Sequence, residues 1–160
     1  MKTLLILCFL TVASAISAFA GELDFSSMEN GDRVEITLHS TGCFHNITLW
    51  YEIKKSEDTC FFTQYAITWD HSVPAKMVEK KAIGKLNLTQ SDITGLDELL
   101  RYYRGKKSIG STTYDLLRVE YYEGGRLIKV EHLDDASGGA ALREKPDALS
   151  FDTLTARFKP

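Results

Sequence analysis

The clearest rhythm in the chain is a two-residue alternation. Over residues 33–40, Val34, Ile36 and Leu38 alternate with Glu35, Thr37 and His39, the period of a strand with one buried face. Thr41 and Gly42 break it. Over residues 48–54, Leu49, Tyr51 and Ile53 fall on one side and Trp50 on the other, and the polar 55–58 stretch reads as a turn. A third run, 60–69, sets Phe61, Tyr65, Ile67 and Trp69 together on one side. These runs predict a meander of three antiparallel strands. A fourth, more polar run over 76–88 carries Lys80 and Lys81 in its middle, as expected of a strand at a sheet edge, where lysines discourage pairing with other chains.

The period then changes. Thr89 is placed as an N-cap with Asp92 in the first turn, and Ile93, Leu96, Leu99, Leu100 and Tyr103 recur at helical spacing until Arg101, Arg104 and Gly105 close the segment. Their stripe should pack on the sheet, with Asp97, Glu98, Arg101 and Arg104 left to solvent. Alternation resumes over 114–122 through Leu117, Val119 and Tyr121. Glu123-Gly124-Gly125-Arg126 is a hairpin turn, because glycine accepts positive φ without steric cost. Residues 127–132 return along it, and 134–141, with Ser137-Gly138-Gly139, should be a mobile loop. Leu149, Phe151, Leu154 and Phe158 predict a short amphipathic helix at the end. The order β-β-β-β-α-β-β-α predicts an α+β domain, mainly antiparallel sheet with one helix packed on a face.

The N-terminus alters the picture. Lys2 precedes an apolar run over 4–12, and Ala18-Phe19-Ala20 precedes Gly21-Glu22. That is the pattern of a signal peptide spanning residues 1–20 and cleaved after Ala20. The run falls short of the roughly 20 apolar residues of a membrane span. Residues 21–160 are long enough for a single domain with its own core. The protein is therefore expected to be exported, to the periplasm or the extracellular space, with no transmembrane segment after cleavage. The net charge of −3 at neutral pH becomes one unit more negative once Lys2 is lost, which argues against general nucleic-acid binding. Basic residues concentrate between Lys76 and Lys107. Arg101, Arg104, Lys106 and Lys107 could attract an anionic partner, although cations at a helix C-terminus have a structural role of their own.

Cleavage discards Cys8 and leaves Cys43 and Cys60. An oxidising compartment favours a disulfide between them. A tight hairpin between the second and third runs opposes it, because the two would lie near opposite ends and a disulfide needs Cα atoms about 4.4–6.8 Å apart. Both alternatives stand at this stage. Asn46-Ile47-Thr48 and Asn87-Leu88-Thr89 are glycosylation sequons if the source is a eukaryote.

Catalytic chemistry has only weak support. His71 with Asp70, and His132 with Asp134, are the candidates for a hydrolase or metal-dependent enzyme, but neither pair has a metal-site spacing and no nucleophile-elbow motif is present. Nothing in these residues requires a cofactor or a resident metal. Aromatics are plentiful, and the doublets Phe61-Phe62 and Tyr121-Tyr122 must split between the two faces of a sheet. A C-terminal segment laid over the face opposite the helix would bury the outward members. Left uncovered, they would make a binding surface, for which Trp50, Phe62, Tyr122, Arg101 and Arg104 are the candidates. The expectation is a non-catalytic exported domain that binds a protein or an envelope component, with the small secreted enzyme as the alternative.

Overall fold

The computed structural model describes residues 23–43, 45–70, 76–105, 114–135 and 149–158; the expected signal peptide, His71, Lys106, Lys107 and most of the 134–141 segment lie outside them. A single 3-10 turn, Phe25–Ser27, precedes strand β1 (Arg33–Gly42). Then follow β2 (His45–Ser56), β3 (Thr59–Asp70), β4 (Lys76–Leu88), helix α1 (Gln90–Arg104), β5 (Tyr114–Glu123), β6 (Arg126–Asp135) and helix α2 (Phe151–Thr155). The six strands form one antiparallel sheet in the order β4-β3-β2-β1-β5-β6. The fold is α+β and mostly sheet, with the lysine-rich β4 at one edge as its pattern predicts.

Local chemistry explains the boundaries. Gly124 and Gly125 take φ of 53° and 86° between the paired Glu123 and Arg126, so both turn residues occupy the left-handed region that glycine tolerates. The β2–β3 turn uses Glu57 at φ 56°, and its N–H donates to Asn30 Oδ1 at 2.8 Å. At the start of α1 the Thr89 hydroxyl accepts from Asp92 N, while Asp92 Oδ2 accepts from Thr89 N at 2.8 Å, a reciprocal capping box.

Register assigns the two faces. Tyr51 lies opposite Ile36, and Ile53 opposite both Val34 and Phe62, so these side chains share the inner face with Leu117 and Val119 of β5. Against it pack Leu96, Leu99, Leu100 and Tyr103 of α1, Leu23, Phe25 and Met28 of the N-terminal segment, and Phe151 and Leu154 of α2. The helical stripe is thus the one its spacing predicts. Arg104 departs from expectation. Its Nε donates to Glu131 Oε2 at 3.0 Å and its Nη2 to the Leu23 carbonyl at 2.9 Å, so it joins α1 to β6 and to the N-terminal segment instead of standing in solvent, whereas Arg101 is exposed.

The C-terminal segment packs on the same side. Phe151 stacks on Tyr51 with ring centroids 4.8 Å apart, and Phe158 on Phe62 at 6.0 Å. A Cβ on Gly84 would come within 2.1 Å of the Phe158 ring, so the close seat of that ring on β4 needs glycine there. The expected cover for the opposite face is therefore on the inner face. No helix among the described residues is long and apolar enough to cross a membrane.

Candidate functional site

With α1, α2 and the N-terminal segment all on the inner face, the outer face of the sheet is where alternating outward side chains gather. The third strand changes the sequence reading most. Its heavier side, Phe61, Tyr65, Ile67 and Trp69, points outward, because Lys54 opposite Phe61 and Trp50 opposite Tyr65 are outward residues of β2. Phe62, a candidate for the binding surface, is 0% exposed in the core. Phe61 is its outward neighbour. The other doublet splits in the same way, with Tyr121 inward and Tyr122 outward.

The outer face is organised in transverse rows. Glu52, Glu35 and Glu120 are consecutive cross-strand partners on β2, β1 and β5, and like charges directly opposite one another are destabilising. Neighbouring rows supply the compensation. Arg33 Nη1 lies 3.2 Å from Glu35 Oε1, Lys80 Nζ reaches the same oxygen at 3.4 Å, and Arg118 pairs with Glu120. Tyr65 donates its hydroxyl to Glu52 Oε1 at 3.1 Å, and Tyr122 to Glu120 Oε2 at 2.9 Å. Burial, reinforced by the Glu52 charge, pushes the Tyr65 phenol up to about 12; burial and the Glu120 hydrogen bond likewise raise Tyr122. Both phenols therefore remain hydrogen-bond donors across the physiological range.

The rings also carry cations. Arg33 lies 4.1 Å over Tyr122, Lys80 4.4 Å over Tyr65 and Lys85 3.9 Å over Phe61. The two tryptophans differ. Trp50 and Trp69 lean on each other with centroids 6.3 Å apart and planes at 47°, and Trp69 is 41% exposed beside the exposed Met77, its β4 partner. They are the only tryptophans in the chain, so both indoles belong to one corner of the outer face. Strand parity could have located this corner, but only once the inward side of β3 was known.

The catalytic candidates are dispersed. Asp70 ends β3, whereas His132 and Asp134 lie on β6, with β2, β1 and β5 between. Four strand spacings of about 4.8 Å separate them by roughly 19 Å across the sheet. Among the described residues no group of three His, Cys, Asp or Glu is placed to share a metal ion. Cys43 and Cys60 are not joined: Cys43 is exposed beyond the end of β1 and Cys60 is buried in the core. They flank opposite ends of β2, a 12-residue strand that spans about 35–40 Å at roughly 3.3 Å per residue. Burial pushes the Cys60 thiol up, partly offset by Lys55, which keeps it protonated and unreactive. Of the sequons, Asn46 and Asn87 are both exposed.

Comparison with protein-family models, with curated proteins and with solved structures gave no match to this chain.

Proposed function

We propose that the protein is a non-catalytic exported binding domain that recognises a partner protein with the outer face of its sheet. The observation that carries this reading is the one-sided placement of the described helical elements, which leaves Trp50, Trp69, Tyr65, Tyr122, Arg33 and Arg118 on the opposite face. Trp, Tyr and Arg are the residue types that dominate binding energy at protein interfaces, where they stand among contacts that exclude water. The salt-bridged glutamate rows add a fixed charge pattern, and such patterns give specificity and association rate more than affinity. Export follows from the leader sequence, so the partner belongs to the compartment that leader addresses.

The test places photo-crosslinking residues at Thr37 and Thr48 on the outer face and at Glu98 on the exposed side of α1, in cells producing the full chain. One partner protein should be captured from Thr37 and Thr48 but not from Glu98. Trp50→Ala combined with Trp69→Ala should abolish that capture while the protein still melts cooperatively. Capture that is equal at all three positions, or that survives loss of both tryptophans, overturns the proposal.

A further inference from the structure

The two edges of the sheet are chemically unlike. Along β4, Lys80, Lys81 and Lys85 face a single Glu79, and the strand pairs with β3 through two register shifts. Antiparallel pairing of this strand with its own copy would bring together two strands that each carry a surplus of lysine. This edge is protected in the usual ways, by lysines and bulges.

The β6 edge is polarised instead. Its first half carries Arg126 and Lys129, and its second half Glu131 and Asp134. Leu127 is 47% exposed, Ile128 36% and Val130 38%, so large apolar side chains stand in water along an edge that no described strand covers. Antiparallel pairing reverses one copy of a strand against the other and so brings the basic half of each β6 onto the acidic half of its mate. In parallel pairing like would meet like.

We propose that β6 is a self-recognition edge, at which two copies of the chain pair antiparallel about a two-fold axis through Val130 to make a continuous sheet. Each strand already pairs Lys129 with its own Glu131, which Arg104 also holds, and charge between the copies favours one register over its neighbours. A pairing that keeps the outer faces continuous shifts in steps of two residues, because side chains alternate between faces. Centring it on Val130 sets Lys129 opposite Glu131 of the second copy, twice by symmetry, with Val130 against Val130 between them. The neighbouring centres set Glu131 against Glu131 or Lys129 against Lys129, and like charges directly opposite are disfavoured. Such an interface is isologous and closes at a dimer. The extra residue Ile128, where β6 shifts register against β5, limits the regular pairing to the stretch about Val130. The buried area is then below the roughly 1,600 Å² of a standard interface, so association depends on concentration.

Sedimentation equilibrium of the leader-free chain should show an average mass that rises with concentration towards twice that of the monomer. Val130→Lys sets two ammonium groups together at the axis and should hold the mass at that of the monomer, while circular dichroism and melting temperature stay as they were. Val130→Cys in a Cys43→Ser background should oxidise to a covalent dimer, because only a residue on the axis meets its own copy at cross-strand distance. His132→Cys, exposed on the same face of β6, should not. A monomeric mass at every concentration, a dimer that survives Val130→Lys, or equal cross-linking from His132→Cys overturns the proposal.

Discussion

Arg157 closes on the carboxylate of Asp92 with both terminal nitrogens, Nη1 to Oδ1 at 2.5 Å and Nη2 to Oδ2 at 3.0 Å. The same carboxylate completes the capping box of α1, so one buried side chain starts the main helix and anchors the C-terminal segment. Bidentate guanidinium contact is the strongest form of this pair, and with the cap bonds it holds Asp92 at about 2.

Asp92→Ala should therefore cost more than Arg157→Ala. Thr89 still caps the helix in Asp92→Ala, but loss of the carboxylate that accepts from Thr89 N and Oγ1 costs about 1.5–3 kcal/mol, the range for hydrogen bonds to a charged group. The Arg157 side chain is 41% exposed, which limits its own truncation to about 1 kcal/mol. The two losses should not add in the double variant, since both remove the same contact. Denaturant unfolding of the three variants measures this. The folded value lies below the unfolded 3.8, so the contribution is present above that pH and disappears as the pH falls through about 2.

Leu99 and Arg104 lie five residues apart on α1, and both are now structural. Leu99→Ala and Leu100→Ala should each cost about 2–5 kcal/mol, the range for a buried leucine in a packed core. Arg104→Ala should cost about 1.5–3 kcal/mol, more than the roughly 0.3–1 kcal/mol of an exposed helix-end cation, because it strips a charged hydrogen bond from Glu131 and leaves the Leu23 carbonyl short of a donor. Thermal melts at neutral pH separate these values. A nearly neutral Arg104→Ala would mean that its contacts with Glu131 and Leu23 contribute nothing net.

Asp97 gives a pH dependence of opposite sign. Its Oδ1 accepts from Phe25 N at 2.6 Å, and burial, followed by the hydrogen bond with Asp24, raises it from 3.8 to about 6, while that shared hydrogen bond lowers Asp24. Asp97 therefore holds the proton between the two carboxyl groups. A raised acid binds more protons folded than unfolded, so its contribution is present below 3.8 and is lost as the pH rises through about 6. Asp97→Asn keeps a donor for Asp24 and an acceptor for Phe25 N at every pH. It should raise the melting temperature by a few degrees at pH 7.5 and leave it nearly unchanged at pH 4. A lower melting temperature at pH 7.5 would show that the carboxylate itself is stabilising.

What the sequence made legible was local. Alternation in β1 and β2 located their inward residues, the Gly124-Gly125 dipeptide specified its turn, and Thr89 with Asp92 marked the start of the helix, because each depends on neighbours within a few positions. Alternation alone does not say which side of a strand is inward. In β3 the sequence pattern offers Phe62 as a surface candidate, and only the pairing with β2 shows that Phe62 is buried while Tyr65 and Trp69 face out. Arg104 and Asp92 were likewise read by their place on α1, yet their partners Glu131 and Arg157 lie 27 and 65 positions away. The outer-face surface was legible in Trp50 and Tyr122, but Tyr65, Trp69, Arg33 and Arg118 emerge only with the register.

Tyr51 tests how finely the core is adjusted. Its ring is held between Phe62, 5.2 Å away, and Phe151, 4.8 Å away, and its hydroxyl is buried with no hydrogen-bond partner among the described residues. Burial, helped by the Asp152 charge, pushes the phenol far up, so the hydroxyl stays neutral across the physiological range. A buried hydroxyl that gave up its bonds to water and made none in return is a net cost, of about 1–3 kcal/mol in mutational data. Tyr51→Phe keeps both ring contacts and removes that oxygen alone. It should be neutral or stabilising by up to about 1 kcal/mol, once the small void left behind is counted. Tyr51→Ala should cost about 3–5 kcal/mol, the range for truncating a buried aromatic. Urea unfolding of both variants gives the comparison. If Tyr51→Phe were clearly destabilising, the hydroxyl would be shown to hold a hydrogen bond, most simply to a buried water.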